Sequence, residues 1–228
     1  MVVQLDNEIW FPNPRKGEED GFFAIGGDLS VERLVLAYSN GIFPWYAYRP
    51  EDNMFLPKDF YNDDGTPQIR WYCPMQRFVI FPNEIHISHS MRTLLNKEQY
   101  VVTMGEAFDR VIHHCGALRD AEAGAWLGPH IVEAYTELHK LGLATSVEVW
   151  DKKDELVGGL YGVNIGKNFV GESMFSLVPS GSKVALIHLA LFMQEFGRCL
   201  IDCQLETPHL RSMGGRFISY DEYMGYFK

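Results

Sequence analysis

Residues 145–205 constrain the fold more tightly than any other part of the chain. Extended segments rich in Val, Tyr, Trp and Phe follow one another at 145–150, 155–162 and 168–175, joined by short polar turns at 151–154 and 164–166. Turns this short make antiparallel neighbours. A run that is apolar almost all round then begins at Ser182, which reads as its N-cap, and predicts a buried helix. A further strand is predicted at 200–205. Strand, helix and strand in one sheet form a crossover, expected to be right-handed with its two strands parallel. Both kinds of pairing in one sheet, with helices that do not strictly alternate, make an α+β protein with a mixed sheet.

The flanking sequence suggests where this unit begins. Gly26-Gly27-Asp28-Leu29-Ser30 leads into a helix with Ser30 as N-cap, Glu32 in the first turn and Gly41 as its stop. An aromatic turn follows at 42–46, and 49–70 is polar and Pro-punctuated, as a surface insertion would be. A boundary near Cys73-Pro74 separates a small N-terminal α+β domain, 1–73, from a second domain, 74–228. In the second, Thr103 and Glu106 read as a capping box for a helix with Phe108, Val111, Ile112 and Cys115 on one face. Ile131, Ala134, Tyr135, Leu138 and Leu141 form a second apolar face, and Ser219 and Glu222 cap the last helix.

Composition narrows the function classes. The longest apolar run, 184–193, is too short to span a bilayer. No basic segment followed by an apolar one stands at the N-terminus, so the expected location is the cytoplasm. The net charge of −10 disfavours a broad electrostatic grip on nucleic acid and points instead to contacts with a few unstacked nucleotides. Four scattered cysteines make no disulfide framework, and Cys199 and Cys203 on a strand would stand about 13 Å apart.

Several motifs fail on inspection. Gly171-Glu172-Ser173-Met174-Phe175 lacks the last Gly of a nucleophile elbow, and Gly181-Ser182-Lys183 lacks the upstream Gly of a phosphate loop. His86-Ile87-Ser88-His89 and His113-His114 lack the spacing of a zinc site, so no metal and no cofactor is expected. Glu172, Asp202 and Gln204 stand out because they interrupt apolar strands, where ionisable groups are costly unless paired or functional. The residues alone leave both readings open. The same holds for Tyr38, Trp45 and Trp126, which are either packing aromatics or a stacking platform for a base.

Taken together, Gly26-Gly27-Asp28-Leu29-Ser30, Gly41-Ile42-Phe43-Pro44-Trp45, His86-Ile87-Ser88, Val157-Gly158-Gly159-Leu160-Tyr161-Gly162, Gly171-Glu172-Ser173-Met174-Phe175-Ser176 and Ile201-Asp202-Cys203-Gln204 resemble, in order, the leucyl/phenylalanyl-tRNA–protein transferase family. The resemblance implies a GNAT (acetyltransferase)-like C-terminal domain behind a small N-terminal one. It implies transfer of Leu, Phe or less readily Met from aminoacyl-tRNA to proteins beginning with Arg or Lys, which marks them for N-degron degradation. By resemblance Tyr38, Trp45 and Trp126 hold the terminal adenosine, Glu172 contacts the aminoacyl end, and Asp202 and Gln204 handle the attacking amine. Leu160, Phe169, Met174, Leu186, Leu189 and Met193 line the amino-acid pocket, and Arg92 and Lys97 touch tRNA. The expected partners are aminoacyl-tRNA and acceptor proteins, with no membrane and a monomeric chain.

Overall fold

Two sheets organise the chain in a computed structural model that describes residues 2–45, 68–121 and 129–227. The first holds β1 (Val3–Leu5), β2 (Phe22–Gly26), β3 (Phe43–Pro44) and β4 (Arg70–Tyr72) in the order β1-β2-β4-β3. Helix α1 (Val31–Ser39) joins β2 to β3. The Ser30 hydroxyl accepts the Arg33 N–H at its start, and Gly41, with φ of 69°, turns the chain away at its end.

The second sheet has seven strands in the order β11-β5-β10-β9-β8-β7-β6. They are β5 (Gln76–Ile80), β6 (Val101–Met104), β7 (Ala144–Trp150), β8 (Leu156–Ile165), β9 (Asn168–Ser176), β10 (Ile201–Asp202) and β11 (Arg216–Ser219). β9 and β10 run parallel across the connection through α5 (Gly181–Glu195), whereas the other neighbours are antiparallel, so the sheet is mixed as expected. Alternation along the strands divides the core. Leu160 and Phe169 pack with Val184, Leu186 and Leu189 of α5. Tyr161, Val163 and Val170 face the other way, toward α1, α3 (Phe108–Ala121) and α4 (Pro129–Lys140). That second cluster also takes in Phe23, Phe43 and Trp71 of the first sheet. The remaining α-helices among the described residues are α2 (His89–Leu95), α6 (Pro208–Ser212) and α7 (Tyr220–Gly225).

The glycine pair in β8 has a packing reason. A Cβ at Gly158 would stand 2.8 Å from the Gly181 backbone, so the first turn of α5 sits on the strand only because neither residue has a side chain. No helix among the described residues is long and apolar enough to cross a membrane.

Four local expectations are corrected. Thr103 lies in β6, not at a helix cap, and donates its hydroxyl to the buried Glu148 at 2.6 Å. Glu148 also accepts the Ala107 N–H at 3.4 Å, so a carboxylate from β7 stands before α3 in place of the local capping box. Ser182 does not cap α5: the N-cap is Ser180, at φ 71°, and the Ser182 N–H bonds to Ser176 Oγ at 3.1 Å. Leu141 stands 55% exposed just past α4, because that helix ends at Lys140. Finally, the strand expected at 200–205 is only Ile201–Asp202. Asp202 Oδ1 accepts the Gln204 N–H at 2.8 Å and Gln204 adopts φ of 58°, which bends the chain out of the sheet.

Candidate active site

Pairing of β8 with β9 is interrupted where Tyr161 opposes Ser173 and the next residue, Gly162, opposes Gly171. Glu172 is the extra residue of this bulge and has no partner across the ladder. Its carboxylate meets three groups from distant parts of the chain. Tyr38 of α1 donates to Oε1 at 2.7 Å, Tyr135 of α4 lies 3.2 Å from Oε2, and Gln204 Nε2 donates to Oε1 at 3.3 Å. The Tyr38 and Tyr135 hydroxyls also hydrogen-bond to each other. Burial pushes the Glu172 carboxyl up to about 7, and the Asp202 carboxylate adds to the rise. Hydrogen bonds from the tyrosines and the Arg77 charge oppose it.

Asp202 is fully buried, and its carboxylate is occupied. Arg77 of β5 donates to Oδ1 from Nε at 2.8 Å and to Oδ2 from Nη2 at 2.7 Å, and Tyr223 of α7 donates to Oδ2 at 2.7 Å. Burial disfavours the Arg77 cation, but the Asp202 charge outweighs it and holds the guanidinium above its ordinary value. Arg77 Nη1 also donates to the Gly41 carbonyl at 2.9 Å, tying the end of α1 to the pair. Asp202 therefore fixes the Gln204 backbone without facing a ligand space.

Glu172 and Gln204 border a cavity of about 570 Å³. Its apolar wall comes from Leu160, Phe169, Met174, Leu186 and Leu189, five of the six residues expected there. Met193 is the exception. It lies about 6 Å further along α5, fully buried beside the turn where the Gln194 side chain bonds to the Pro82 carbonyl. Phe43, Pro44 and Trp45 close the cavity from the first sheet, and Trp45 is 41% exposed with its ring 5.5 Å from Tyr72. Glu206, Thr207 and His209 form a polar side. Cys203 also borders the space, but burial and the Asp202 charge raise its thiol pKa and so disfavour the thiolate.

The other expected site residues divide as follows. Tyr38 does not present a ring face for stacking: it is 1% exposed on the buried side of α1 with Leu34 and Ala37, and only its hydroxyl reaches the site. Trp126 lies outside the described residues. Arg92 and Lys97 are exposed on and just after α2, away from the cavity lining. Sequence reasoning missed Arg77, Tyr135 and Tyr223. Arg77 carried a usable signal, a charge directly before the apolar run Phe78-Val79-Ile80. Tyr135 and Tyr223 carried none, because a tyrosine at a helical core position looks the same whether or not its hydroxyl has a task.

Comparison with known proteins converges on one family. The model for the leucyl/phenylalanyl-tRNA protein transferase matches residues 79–228, and the model for that family's N-terminal domain matches residues 27–56. A protein from Flavobacterium psychrophilum named leucyl/phenylalanyl-tRNA–protein transferase is 44% identical over 225 residues, covering 98% of both chains. One of the same name from Flavobacterium johnsoniae is 44% identical over 228 residues, all of this chain and 99% of the other. A third, from Syntrophobacter fumaroxidans, is 47% identical over 219 residues, 96% of this chain and 86% of the relative. With a family model across its larger part and relatives this similar along nearly its whole length, the chain belongs to the leucyl/phenylalanyl-tRNA–protein transferase family.

Proposed function

We propose that the chain is an aminoacyltransferase that moves Leu or Phe, and less readily Met, from aminoacyl-tRNA to the N-terminal amine of proteins beginning with Arg or Lys, marking them for N-degron degradation. The observation that carries this reading is the cavity, whose wall of Leu160, Phe169, Met174, Leu186 and Leu189 fits an unbranched or γ-branched side chain and which ends on Glu172 and Gln204. One methylene in such a pocket is worth only about 1–3 kcal/mol, so selection among apolar donors is graded, with Val poor. Trp45 at the mouth suits the terminal adenosine, and Arg92 and Lys97 suit phosphates. The parallel β9–β10 pair, which β10 ends after two residues beside the cavity, supports a GNAT-like reading of residues 74–228 behind a small N-terminal domain.

The chemistry asks chiefly for positioning. The donor ester is already activated, and the acceptor amine has an ordinary pKa of about 7.7–8.0. Holding amine and ester carbon together supplies roughly 7–11 kcal/mol. Asp202 anchors the Gln204 backbone, Glu172 holds the Gln204 amide nitrogen, and the amide oxygen is left to receive an N–H of the amine. The edge of β9 beyond Val170, which β10 leaves unpaired, offers backbone donors to the developing oxyanion. Glu206 on the polar side suits the acceptor's cationic side chain, once released from its surface pair with Arg211. The test is transfer of labelled leucine from Leu-tRNA to a peptide beginning with Arg and to one beginning with Ala. Transfer to the first alone supports the reading, and transfer to neither by folded protein overturns it.

A further inference from the structure

The contacts around Glu172 can be counted in protons. Tyr38, Tyr135 and the carboxylate form a triangle with a hydrogen bond along each side. Three such bonds need three protons, and two tyrosine hydroxyls supply only two. With Glu172 ionised, both hydroxyls point at the carboxylate and the two phenol oxygens face each other with no proton between them. With Glu172 protonated, the ring closes. Oε2–H donates to Tyr135, Tyr135 donates to Tyr38, and Tyr38 donates to Oε1. Oε1 already accepts Tyr38 and Gln204, so Oε2 is the oxygen free to carry the proton. One hydroxyl rotation, that of Tyr135, separates the two states.

Among the described residues, the other groups beside the cavity are poor proton acceptors. The Asp202 oxygens are filled by Arg77, Tyr223 and the Gln204 N–H. Glu206 is exposed and paired with Arg211. Burial, with the Lys183 charge, lowers the basicity of His209. Gln204 does not titrate. Among the described residues, the groups that face Glu172 are Tyr38 from α1, Tyr135 from α4 and Gln204 after β10, with the Asp202–Arg77 pair beyond them.

Resting on the proposed transfer, we infer that Glu172 is the residue that takes the proton from the attacking amine, with Tyr38 and Tyr135 as the ring that accommodates both of its states. The amine lone pair forms the bond to the ester carbonyl carbon, and the N–H proton passes to the Glu172 carboxylate, which borders the cavity. The bond from that carbon to the ribose oxygen breaks with its electron pair on oxygen, and that oxygen takes the proton back from Glu172. The products are a peptide bond, a free hydroxyl and the original carboxylate. The burial that raises Glu172 matches this task, because a base works best near the operating pH.

Glu172→Gln is the informative variant, since its amide can close the same ring without accepting a proton. Single-turnover transfer to saturating Arg-initial peptide is measured from about pH 5.5 to 9, beside binding of a non-hydrolysable leucyl-adenosine analogue. Wild type should show a rising limb near pH 7 below the limb of the acceptor amine. E172Q should lose that limb and slow about 100-fold or more, with analogue affinity within about threefold. E172Q within about fivefold of wild type, or with the limb intact, overturns the proton role. Loss of rate matched by loss of analogue binding also overturns it and makes Glu172 a substrate contact. Wild type that transfers to no peptide overturns the transfer reading itself, whatever E172Q does.

Discussion

Arg77 and Asp202 meet as a fork, Nε at 2.8 Å from Oδ1 and Nη2 at 2.7 Å from Oδ2, with side chains 1% and 0% exposed. A buried pair of this kind is weak evidence of net stabilisation, but leaving one partner uncompensated typically costs about 3–5 kcal/mol. Asp202→Ala and Arg77→Ala should each destabilise by that amount in denaturant unfolding. The double variant R77M/D202L should be more stable than either single one by about 1 kcal/mol or more, though the Gly41 carbonyl and Tyr223 hydroxyl then lose partners. A double variant as unstable as the singles would mean the pair stabilises through more than charge compensation.

Gln204 allows a scaffold role to be tested apart from the proposed chemistry. Its backbone is left-handed at φ 58°, where glycine is favoured, and its side chain reaches Glu172. Gln204→Gly should therefore fold with stability within about 1 kcal/mol of wild type while losing transfer about 100-fold. Asp202→Ala, in contrast, should lose stability and transfer together. Wild-type rates in Q204G would remove Gln204 from the chemistry.

Leu186 and Leu189 project from α5 into the cavity. Leu186→Phe should narrow it and penalise the larger donor, shifting the Leu over Phe preference in kcat/KM by about tenfold in a competition between the two charged tRNAs. An unchanged ratio would place the donor side chain elsewhere.

Glu172 also makes a prediction for folding alone. Burial holds its pKa at about 7 in the folded state, above its ordinary value of 4.5, so the folded state holds this proton more tightly than the unfolded chain. The resulting stabilisation is fully present below pH 4.5 and is lost as pH rises to about 7. Relative to E172Q, which cannot titrate there, wild type should lose about 3 kcal/mol of unfolding free energy across that window and stay level above it. Parallel stability curves for the two proteins would show that Glu172 ionises in the native state as it does in water.

The parts of this fold legible in the sequence are those governed by local rules. β7, β8 and β9 follow from hydrophobic runs separated by short turns, and the Ser30 and Ser219 caps from serine at a helix start. The errors arise where a distant partner outcompetes a local one. Thr103 has a capping-box spacing, yet Glu148, 45 residues away, takes its hydroxyl. Met193 shares a stripe with Leu186 and Leu189, yet the cavity ends before its turn of the helix. At the site, Glu172 and Gln204 are visible as polar breaks in apolar sequence. Tyr135 is not, since its meeting with Tyr38 depends on how α1 and α4 pack 97 residues apart.

The hydrophobic cluster that joins Phe23, Phe43 and Trp71 to Phe108, Tyr135 and Tyr161 makes one shared core between the two sheets. Phe43 belongs to this shared core and also to the cavity wall, and Tyr38, from the same region, holds Glu172. The N-terminal segment is thus a part of the cavity wall and not an appendage that could be exchanged freely. A chimera carrying the N-terminal segment of a relative would have to match it at α1 and β3 as closely as two halves of a single core, or forfeit both the pocket and the tyrosine ring.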